Sequence, residues 1–356
     1  MESTCTSETK RLLHLKITIK EEAPHNGVME LLKILRPQWR TEDIKMKVFT
    51  EGITNQLMGC YTGCLWSSDV VLVRVYGNMT DLYLDRRKEM EMFQILHEHG
   101  CGPKLYCSFE NGICYEFLQG MVLDDTLLRE PIIYRLIAEE MAKIHTIQPW
   151  TSSPPQAVLW TKMSQFLQLV RDSENKTPML SSLCLPEAAS VEALKSEMNE
   201  LKRRLGHVYS PTVLCHNDLL TKNIVYNDTK GSVKFIDYEY ADFNYQAFDI
   251  ANHFNEFAGL GDIDYSLYPS LELQQDWLTT YLEHHKSRTG TATSGSERDV
   301  ENLYTTVCKY SLASHFFWGL WAIIQARYST IDFDFIKYAR ARFKHYFEKK
   351  EEYFGM

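Results

Sequence analysis

Two hydrophobic periodicities divide the chain. In the first third, apolar and polar residues alternate with a period of two, most clearly in HLKITIK at residues 14–20. Such alternation is typical of strands that bury one face. After about residue 120 the apolar spacing becomes helical, as in residues 131–146, where a proline stands near the first turn. The pattern predicts a β-rich N-terminal part followed by a mainly helical C-terminal part.

The N-terminal part is predicted to hold one helix among several strands. Residues 85–98 have a helical apolar face, and Gly100 follows their last turn. The Asn111–Gly112 pair is a strong hairpin signal between two of the strands. Further strands are expected at residues 14–20, 46–61 (two strands around a turn at Glu51–Gly52), 70–76, 104–109 and 113–118.

The C-terminal part is predicted to be helical with a small β insertion. Residues 190–207 resemble an exposed helix with Ser190 as N-cap. Short strands flank residues 214–226 and 232–237, and the helical pattern beyond residue 245 is interrupted by a polar surface loop at 287–296. The predicted fold class is α+β, divided into a flexible tail (1–10), an N-terminal lobe (11–118) and a C-terminal lobe (119–356).

Composition excludes several classes of protein. Of the 356 residues, 44% are hydrophobic and 24% charged, which is ordinary for a globular chain and excludes a mostly disordered, collagen-like or coiled-coil protein. The net charge of −9 provides no global basic field, so no nucleic-acid partner is expected.

Processing and location follow from two further features. The N-terminus lacks the apolar region of a secretory signal, and the most apolar stretch, residues 310–326, is shorter than the ~20 residues of a membrane span. We therefore expect no membrane insertion. Nine scattered cysteines match no zinc spacing and favour reduced thiols in the cytoplasm.

The strongest chemical signal is a His-x-Asp-x₄-Asn motif formed by His216, Asp218 and Asn223. A short apolar strand then leads to Asp237. Protein kinases use this order of residues, with the first Asp accepting the hydroxyl proton and the Asn and second Asp binding Mg²⁺. The motif predicts Asp218 as catalytic base and Asn223 and Asp237 as catalytic metal ligands. A structural loop whose Asp and Asn cap turns is the alternative.

The N-terminal part offers candidate nucleotide contacts. The turn after the second strand contains Gly52, Ile53, Thr54 and Asn55, whose backbone N–H groups are candidates for phosphate binding. Arg74 occupies the position of the kinase β3 Lys, and Glu89 on the next helix is its candidate partner. An ordinary hairpin turn and a solvated arginine are the alternatives. Glu116, Phe117 and Leu118 are the candidate hinge against adenine, with a plain strand end as the rival.

Taken together, the chain resembles the choline/ethanolamine kinase family from about residue 48 to about residue 347. The resemblance implies a two-lobed eukaryotic-protein-kinase-like fold, MgATP as cofactor and a small amino alcohol as substrate. It implies the catalytic roles given above, Arg74 and the 52–54 turn as phosphate contacts, and Glu239 as ligand of a second ion. The matching stretches are residues 51–55, 71–77, 102–106, 215–219, 236–240, 244–250, 252–254 and 313–322.

Within that family the sequence favours ethanolamine over choline. A quaternary ammonium requires an aromatic box. Trp318 and Trp321 share a helix face, Tyr338 matches the family's amine-site pattern, and Glu256 can face the cation. Choline kinases place more aromatic residues after the matching Glu than the NEFAGLG found at residues 255–261 here. Core packing is the alternative role of the two tryptophans.

The predicted reaction is ATP-dependent phosphorylation of ethanolamine, the first step of the CDP-ethanolamine route to phosphatidylethanolamine. A choline kinase, or one acting on both amines, is the first alternative, and a homodimer is left open. A catalytically inactive kinase-like scaffold is the alternative from another class. An aminoglycoside or protein kinase on the same fold is less favoured, because the amine-site aromatics suit a very small alcohol.

Overall fold

The computed structural model describes residues 12–20, 22–49, 55–64, 69–77, 80–149, 154–176, 178–290 and 296–356. Contacts group the chain into two compact units. The first consists of residues 1–80 and 103–119, and the second of residues 81–102 and 120–356. Residues 81–102, assigned by sequence to the N-terminal lobe, thus cluster with the second unit. The lobe boundary at residue 118 stays a prediction.

The first unit contains a six-stranded sheet in the order β1-β5-β6-β4-β3-β2. All neighbouring strands are antiparallel except β1, which runs parallel to β5. The expected strand at residues 14–20 is only partly present, since β1 is short, although burial still alternates through Ile19. The strands are β1 (Leu13–Leu15), β2 (Ile44–Phe49), β3 (Gln56–Thr62), β4 (Val70–Val75), β5 (Leu105–Phe109) and β6 (Gly112–Glu116).

Helix α1 (Pro24–Leu35), which sequence analysis did not identify, completes the core of the first unit. Its Val28 and Leu31 are fully buried in one cluster with Val71 and Val73 of β4. Branched residues suit this position because they pack well on a pleated surface. Cysteines of β3, β5 and β6 lie in the same cluster, and all eight cysteines of the described segments are free thiols.

The second unit is mainly helical. Its strands form two small sheets, β10-β9-β7 and β11-β8. The strands are β7 (Met121–Val122), β8 (Thr212–Cys215), β9 (Ile224–Asn227), β10 (Ser232–Phe235) and β11 (Asp242–Tyr245). The helices are α2 (Arg86–Glu98), α3 (Pro131–His145), α4 (Leu159–Glu174), α5 (Val191–Leu205), α6 (Gln246–Glu256), α7 (Leu271–Thr289), α8 (Glu297–Tyr328) and α9 (Phe335–Gly355).

Capping residues define several of these helix ends. Ser190 caps α5 by accepting a hydrogen bond from the Ala193 amide at 3.1 Å, as predicted. The predicted loop at 287–296 begins later than expected, because α7 continues to Thr289 and ends at Gly290 with φ +73°. Glycine tolerates this left-handed conformation, which explains the stop. Residues 291–295 lie outside the described segments.

Helix α8 is the central element of the second unit. It spans 32 residues, and almost every side chain from Val307 to Gln325 is buried. Gly319 allows α9 to approach closely, since an added Cβ would lie 2.7 Å from the ring of Phe343. Among the described residues, no helix is long and apolar enough to cross a membrane.

Candidate active site

The loop after β8 is fixed by its histidine. His216 is buried and its Nε2 lies 2.9 Å from the carbonyl oxygen of Ile236. The Asp218 amide donates to His216 Nδ1 at 3.3 Å, so Nδ1 is unprotonated and Nε2 carries the hydrogen. Burial lowers the pKa of His216, which agrees with a neutral ring. The imidazole therefore ties the loop to the end of β10.

Asp249 of α6 holds the same loop from the other side. Its carboxylate accepts the amide hydrogens of His216 at 2.9 Å and Asn217 at 2.7 Å. His145 of α3 donates a third hydrogen bond through Nε2 at 2.9 Å. Burial alone would raise the pKa of Asp249, but the hydrogen bonds from the His145 side chain and the His216 amide bring it below the usual range. A buried, ionised Asp249 thus fixes the two residues before Asp218.

His145, Cys215 and Asp249 also lie close enough together to suggest a metal site. Burial raises the pKa of the Cys215 thiol well above its usual value, and Asp249 adds to the effect. A thiol must be deprotonated to bind metal. In addition, His145 Nδ1 contacts the Tyr281 hydroxyl at 2.7 Å, so both ring nitrogens already have protein partners. We interpret this cluster as structural support for the loop.

Asn217 has a left-handed backbone with φ +65°. Asparagine is one of the few residues that adopt this region readily. Its side chain donates to the carbonyl of Tyr240 at 2.9 Å and accepts from Asn244 at 2.8 Å. The residue directly before Asp218 is therefore held by both its backbone and its side chain.

Asn223 and Asp237 are brought together by a hairpin. Strands β9 and β10 pair with Ile224 opposite Phe235, so Asn223 and the segment after β10 lie at the same end. The Ile236 amide donates to the Asn223 carbonyl at 2.9 Å. Asn223 Nδ2 donates to the Asp218 carbonyl at 2.8 Å and lies 3.5 Å from Asp218 Oδ2. Asp237 follows with φ +65°. This brings the three motif residues into one site.

Glu239 is buried two residues beyond Asp237 and has a basic partner. Its Oε2 lies 3.1 Å from Arg86 Nη1 of α2, which is equally close to Glu89 Oε2. Arg86 therefore bridges Glu239, which is predicted to bind a second metal ion, and Glu89, which is predicted to pair with Arg74. Sequence analysis missed Arg86, although its position in the first turn of α2, three residues before Glu89, was a local signal.

The electrostatics of the site fit a hard divalent cation. The pKa of Asp218 is raised well above its usual range, chiefly by burial and then by the charges of Glu256, Asp237, Glu239 and Asp249. Such an excess of carboxylates is relieved when a cation binds. Asn223 and Asp237 offer amide and carboxylate oxygens, which are the ligands that Mg²⁺ prefers.

Helix α8 contributes a cluster of aromatic residues. The rings of Trp318 and Trp321 lie 5.3 Å apart at 79°, and each side chain is only about 5% exposed. Tyr240 joins them, because its ring is 5.3 Å from Trp318 and its hydroxyl accepts from Trp321 Nε1 at 2.8 Å. Tyr338 of α9 lies 6.5 Å from Trp321. Sequence analysis missed the contribution of Tyr240, although it ends one of the stretches that carry the family resemblance.

Glu256, at the end of α6, has a buried partner. Its Oε1 lies 3.1 Å from Nη1 of Arg342, and both side chains are at least nine-tenths buried. Glu256 is therefore already paired with a cation. Sequence analysis missed Arg342, which follows Tyr338 by four residues on α9 and so lies on the same helix face.

The candidate nucleotide contacts belong mostly to the first unit. Gly52, Ile53 and Thr54 lie outside the described residues, whereas the Asn55 side chain accepts from the Gly77 amide at 3.3 Å. Arg74 on β4 is only 3% exposed, so it is not the solvated arginine considered above. Its guanidinium carbon lies 5.8 Å from the ring centroid of Tyr115. Its pairing with Glu89 stays a prediction.

The candidate hinge begins at the end of β6, an interior strand of the first unit's sheet. Glu116 accepts the Lys104 amide through Oε2 at 3.0 Å, and the Phe117 amide donates to the Val70 carbonyl at 3.4 Å. Phe117 and Leu118 are half-buried. Contact of these residues with adenine stays a prediction.

The sequence and the fold resemble those of known proteins. The chain is 49% identical over 345 residues to ethanolamine kinase 1 of Homo sapiens, covering 95% of this chain and 75% of that protein. It is 52% identical over 326 residues to ethanolamine kinase 2 of Rattus norvegicus, covering 92% and 81%. A Plasmodium vivax ethanolamine kinase structure matches with a TM-score of 0.79 at 27% identity, covering 92% of this chain and 89% of that one.

The predicted fold class is confirmed by these structural similarities. A choline kinase of Cryptosporidium parvum shares the fold as well, with a TM-score of 0.76 at 24% identity, covering 92% of this chain and 96% of that one. The family model described as choline/ethanolamine kinase matches residues 46–347, which is most of the chain. The chain therefore belongs to the choline/ethanolamine kinase family.

Proposed function

We propose that this protein transfers the terminal phosphoryl group of ATP to the hydroxyl of ethanolamine, giving phosphoethanolamine and ADP. Identity of about 50% to curated ethanolamine kinases over more than nine-tenths of the chain is the observation that carries the proposal. In a cell this reaction would open the CDP-ethanolamine route to phosphatidylethanolamine. The eight free cysteines of the described segments support a cytoplasmic location, and a homodimer remains a prediction.

Asp218 is proposed as the catalytic base. It would accept the hydroxyl proton as the new O–P bond forms, while the bond to ADP breaks and its electron pair leaves with ADP. Phosphoryl transfer depends mainly on positioning, and the bonds from Asp249 and Asn223 to the neighbouring backbone support a fixed Asp218. Burial and the neighbouring carboxylates raise the pKa of Asp218, and bound cations would oppose that rise and favour its ionised form.

Asn223 and Asp237 are the proposed ligands of Mg²⁺. When bound, the ion supplies charge neutralisation at the phosphate oxygens. Glu239 is proposed as ligand of a second ion, for which it would have to exchange its contact with Arg86. On the nucleotide side, Arg74 and residues 52–55 are proposed phosphate contacts, and residues 116–118 a proposed adenine contact.

The amine is proposed to bind against Trp318, Trp321 and Tyr338, with Glu256 as counter-ion. Aromatic faces attract an ammonium through cation–π interactions, and a carboxylate adds the hydrogen-bond acceptors that only an ammonium with N–H groups can use. A primary ammonium gains both the cation–π interaction and hydrogen bonds to the carboxylate, whereas the quaternary ammonium of choline has no N–H group and gains only the cation–π interaction. This difference favours ethanolamine, and choline or dual specificity is the second candidate because the family covers both amines.

The decisive experiment measures Mg²⁺-dependent ADP release by the purified full chain with ethanolamine, monomethylethanolamine and choline in parallel. We expect kcat/KM to fall in that order. Equal turnover of choline and ethanolamine would refute the specificity but leave the kinase reaction standing. Nucleotide binding measured by calorimetry, without turnover of any of the three, would favour the inactive scaffold.

A further inference from the structure

The pair formed by Glu256 and Arg342 is unusual in its degree of burial. Arg342 is 1% exposed and Glu256 is 5% exposed. Removing a carboxylate from water is energetically costly, and the group remains charged only where a cation and hydrogen bonds compensate. Arg342 supplies one such bond at 3.1 Å, and its guanidinium carbon lies 5.6 Å from the ring centroid of Tyr338. The pair thus connects the proposed counter-ion with one of the proposed amine-site aromatics.

Arg342 also reaches the tryptophan cluster through hydrogen bonds. Its Nη2 donates to the Ser314 hydroxyl at 3.0 Å, and that hydroxyl donates to Asn252 Oδ1 at 2.8 Å. The same oxygen accepts from Trp318 Nε1 at 2.7 Å. Asn252 Nδ2 then donates to the carbonyl of Asn217, next to Asp218, at 3.2 Å. All of these side chains are buried, so the bonds form without competition from solvent.

We propose that Arg342 is a positioning residue for amine binding, which keeps Glu256 ionised and oriented for the substrate ammonium and fixes Trp318 through Ser314 and Asn252. The inference rests on the proposed function, since it concerns the same amine site. To the proposed function it adds Arg342, a residue that is not proposed to touch the substrate. It also adds the way in which Arg342 sets the affinity for the amine.

Charge determines the sign of the effect. Burial raises the pKa of Glu256, and Arg342 opposes that rise through its charge and hydrogen bond. Without Arg342 the carboxyl would take up a proton more readily, and a neutral carboxyl is a poor partner for an ammonium. With Arg342 and the substrate both present, the two positive charges balance the carboxylates of Glu256 and Asp218.

The histidine and tyrosine side chains around the pair are neutral near pH 7. Burial raises the pKa of Tyr265 to about 12 and lowers that of His345 to about 4. Burial and the charge of Arg342 lower the pKa of His315 well below its usual value. The titratable or charged groups facing the pair are Tyr338 and His345 of α9, His315 of α8, Tyr265 of the turn before α7, and Asp218 of the loop.

The test uses full-chain variants Arg342→Met, Arg342→Lys, Glu256→Gln and the double variant Arg342→Met/Glu256→Gln. We expect Arg342→Met to raise KM for ethanolamine about tenfold or more, with KM for ATP within about twofold of wild type. Arg342→Lys should recover much, but not all, of the loss, because it keeps the charge. Arg340→Met is the matched control, since Arg340 lies on the same helix but is exposed and contacts backbone carbonyls of residues 182 and 183.

Two readouts separate positioning from a purely structural role. The acidic limb of kcat/KM for ethanolamine should move to higher pH in Arg342→Met, and this movement should be absent when Glu256 is already Gln. The double variant should lose less affinity for ethanolamine than the sum of the two single losses, because Arg342 acts partly through Glu256 and partly through Ser314 and Asn252 on Trp318. Additive losses, an unmoved pH limb, or equal increases in KM for ATP and ethanolamine would overturn the proposal.

Stability and the parent proposal are checked separately. Circular dichroism and thermal unfolding of each variant show whether it is folded, and Arg342→Lys carries the test if Arg342→Met does not fold. The single, shorter ammonium of that variant replaces the two guanidinium nitrogens that bond Glu256 and Ser314, so a KM for ethanolamine equal to wild type would count against the proposal. A wild type that turns over no amine refutes the proposed function, whereas an active wild type with an unaffected Arg342→Met refutes only this inference.

Discussion

Asn223 donates a hydrogen bond from its side-chain amide to the backbone carbonyl of Asp218 at 2.8 Å. The amide nitrogen is thereby engaged, and the amide oxygen is the atom left to bind a cation. One residue therefore fixes the backbone of the proposed base and orients a proposed metal ligand. This relationship gives the first two predictions.

Replacing Asp218 by Asn should reduce kcat by about 10²–10⁴, because the amide cannot accept the hydroxyl proton. The KM for ATP should change little, since Asp218 is not among the proposed nucleotide contacts. Steady-state ADP release measures the loss, and unfolding curves verify that the fold is kept. A variant with near-normal kcat would mean that the base is another residue.

Replacing Asn223 by Ala should raise the Mg²⁺ concentration needed for half-maximal activity, because a metal ligand and the bond to the Asp218 carbonyl are both lost. Titration of activity with Mg²⁺ after removal of metal by a chelator measures the effect. Asp228→Asn is a suitable control, since Asp228 is an exposed carboxylate in the hairpin that follows β9. Equal Mg²⁺ requirements in the two variants would contradict the proposed ligand.

Replacing Trp321 by Ala should weaken ethanolamine binding by about 1–2 kcal/mol, which corresponds to roughly a 5- to 30-fold rise in KM. Trp321→Phe should keep part of the affinity, because an aromatic face remains while the bond to Tyr240 is lost. Parallel KM measurements for ethanolamine and ATP provide the check. If the KM for ethanolamine stays unchanged in the Ala variant, Trp321 belongs to the core alone.

Replacing Asp249 by Asn should lower the free energy of unfolding by about 3 kcal/mol near pH 7, because a buried charge with three donors is removed. The pKa of Asp249 is lower in the folded protein than its usual value. Its contribution to stability is therefore complete above the unfolded pKa of about 3.9 and is lost as pH falls towards the folded pKa.

Denaturant unfolding of the wild type and Asp249→Asn at several pH values tests this dependence. The difference between the two proteins should be largest at neutral pH and should shrink below about pH 4. A difference that is constant with pH would mean that the charge of Asp249 contributes nothing to stability.

Local sequence predicted the elements whose causes are local. The strand at residues 70–76, the helix capped by Ser190 and the hairpin of β5 and β6 were identified from period, capping residues and turn residues, which act over a few positions. The turn of that hairpin is Glu110–Asn111, one residue earlier than predicted, because Gly112 already pairs with Phe109. The strand at 14–20 was predicted too long and the loop at 287–296 too early. Strand β1 ends where its pairing with β5 ends, which residue periodicity does not encode. Helix α7 ends at Gly290, a local stop signal that the sequence analysis placed inside the loop.

The sequence by itself determined the family and the fold class. It also determined the motif of Asp218, Asn223 and Asp237, because a loop and a hairpin of fixed length bring those three residues together. Only the tertiary structure decided which buried charges meet. Arg342 and Glu256 are 86 residues apart, and His145 and Asp249 are 104 apart, on separate helices. The packing of those helices selects the partners, and a buried charge can be satisfied by any group of opposite charge that the packing brings near it.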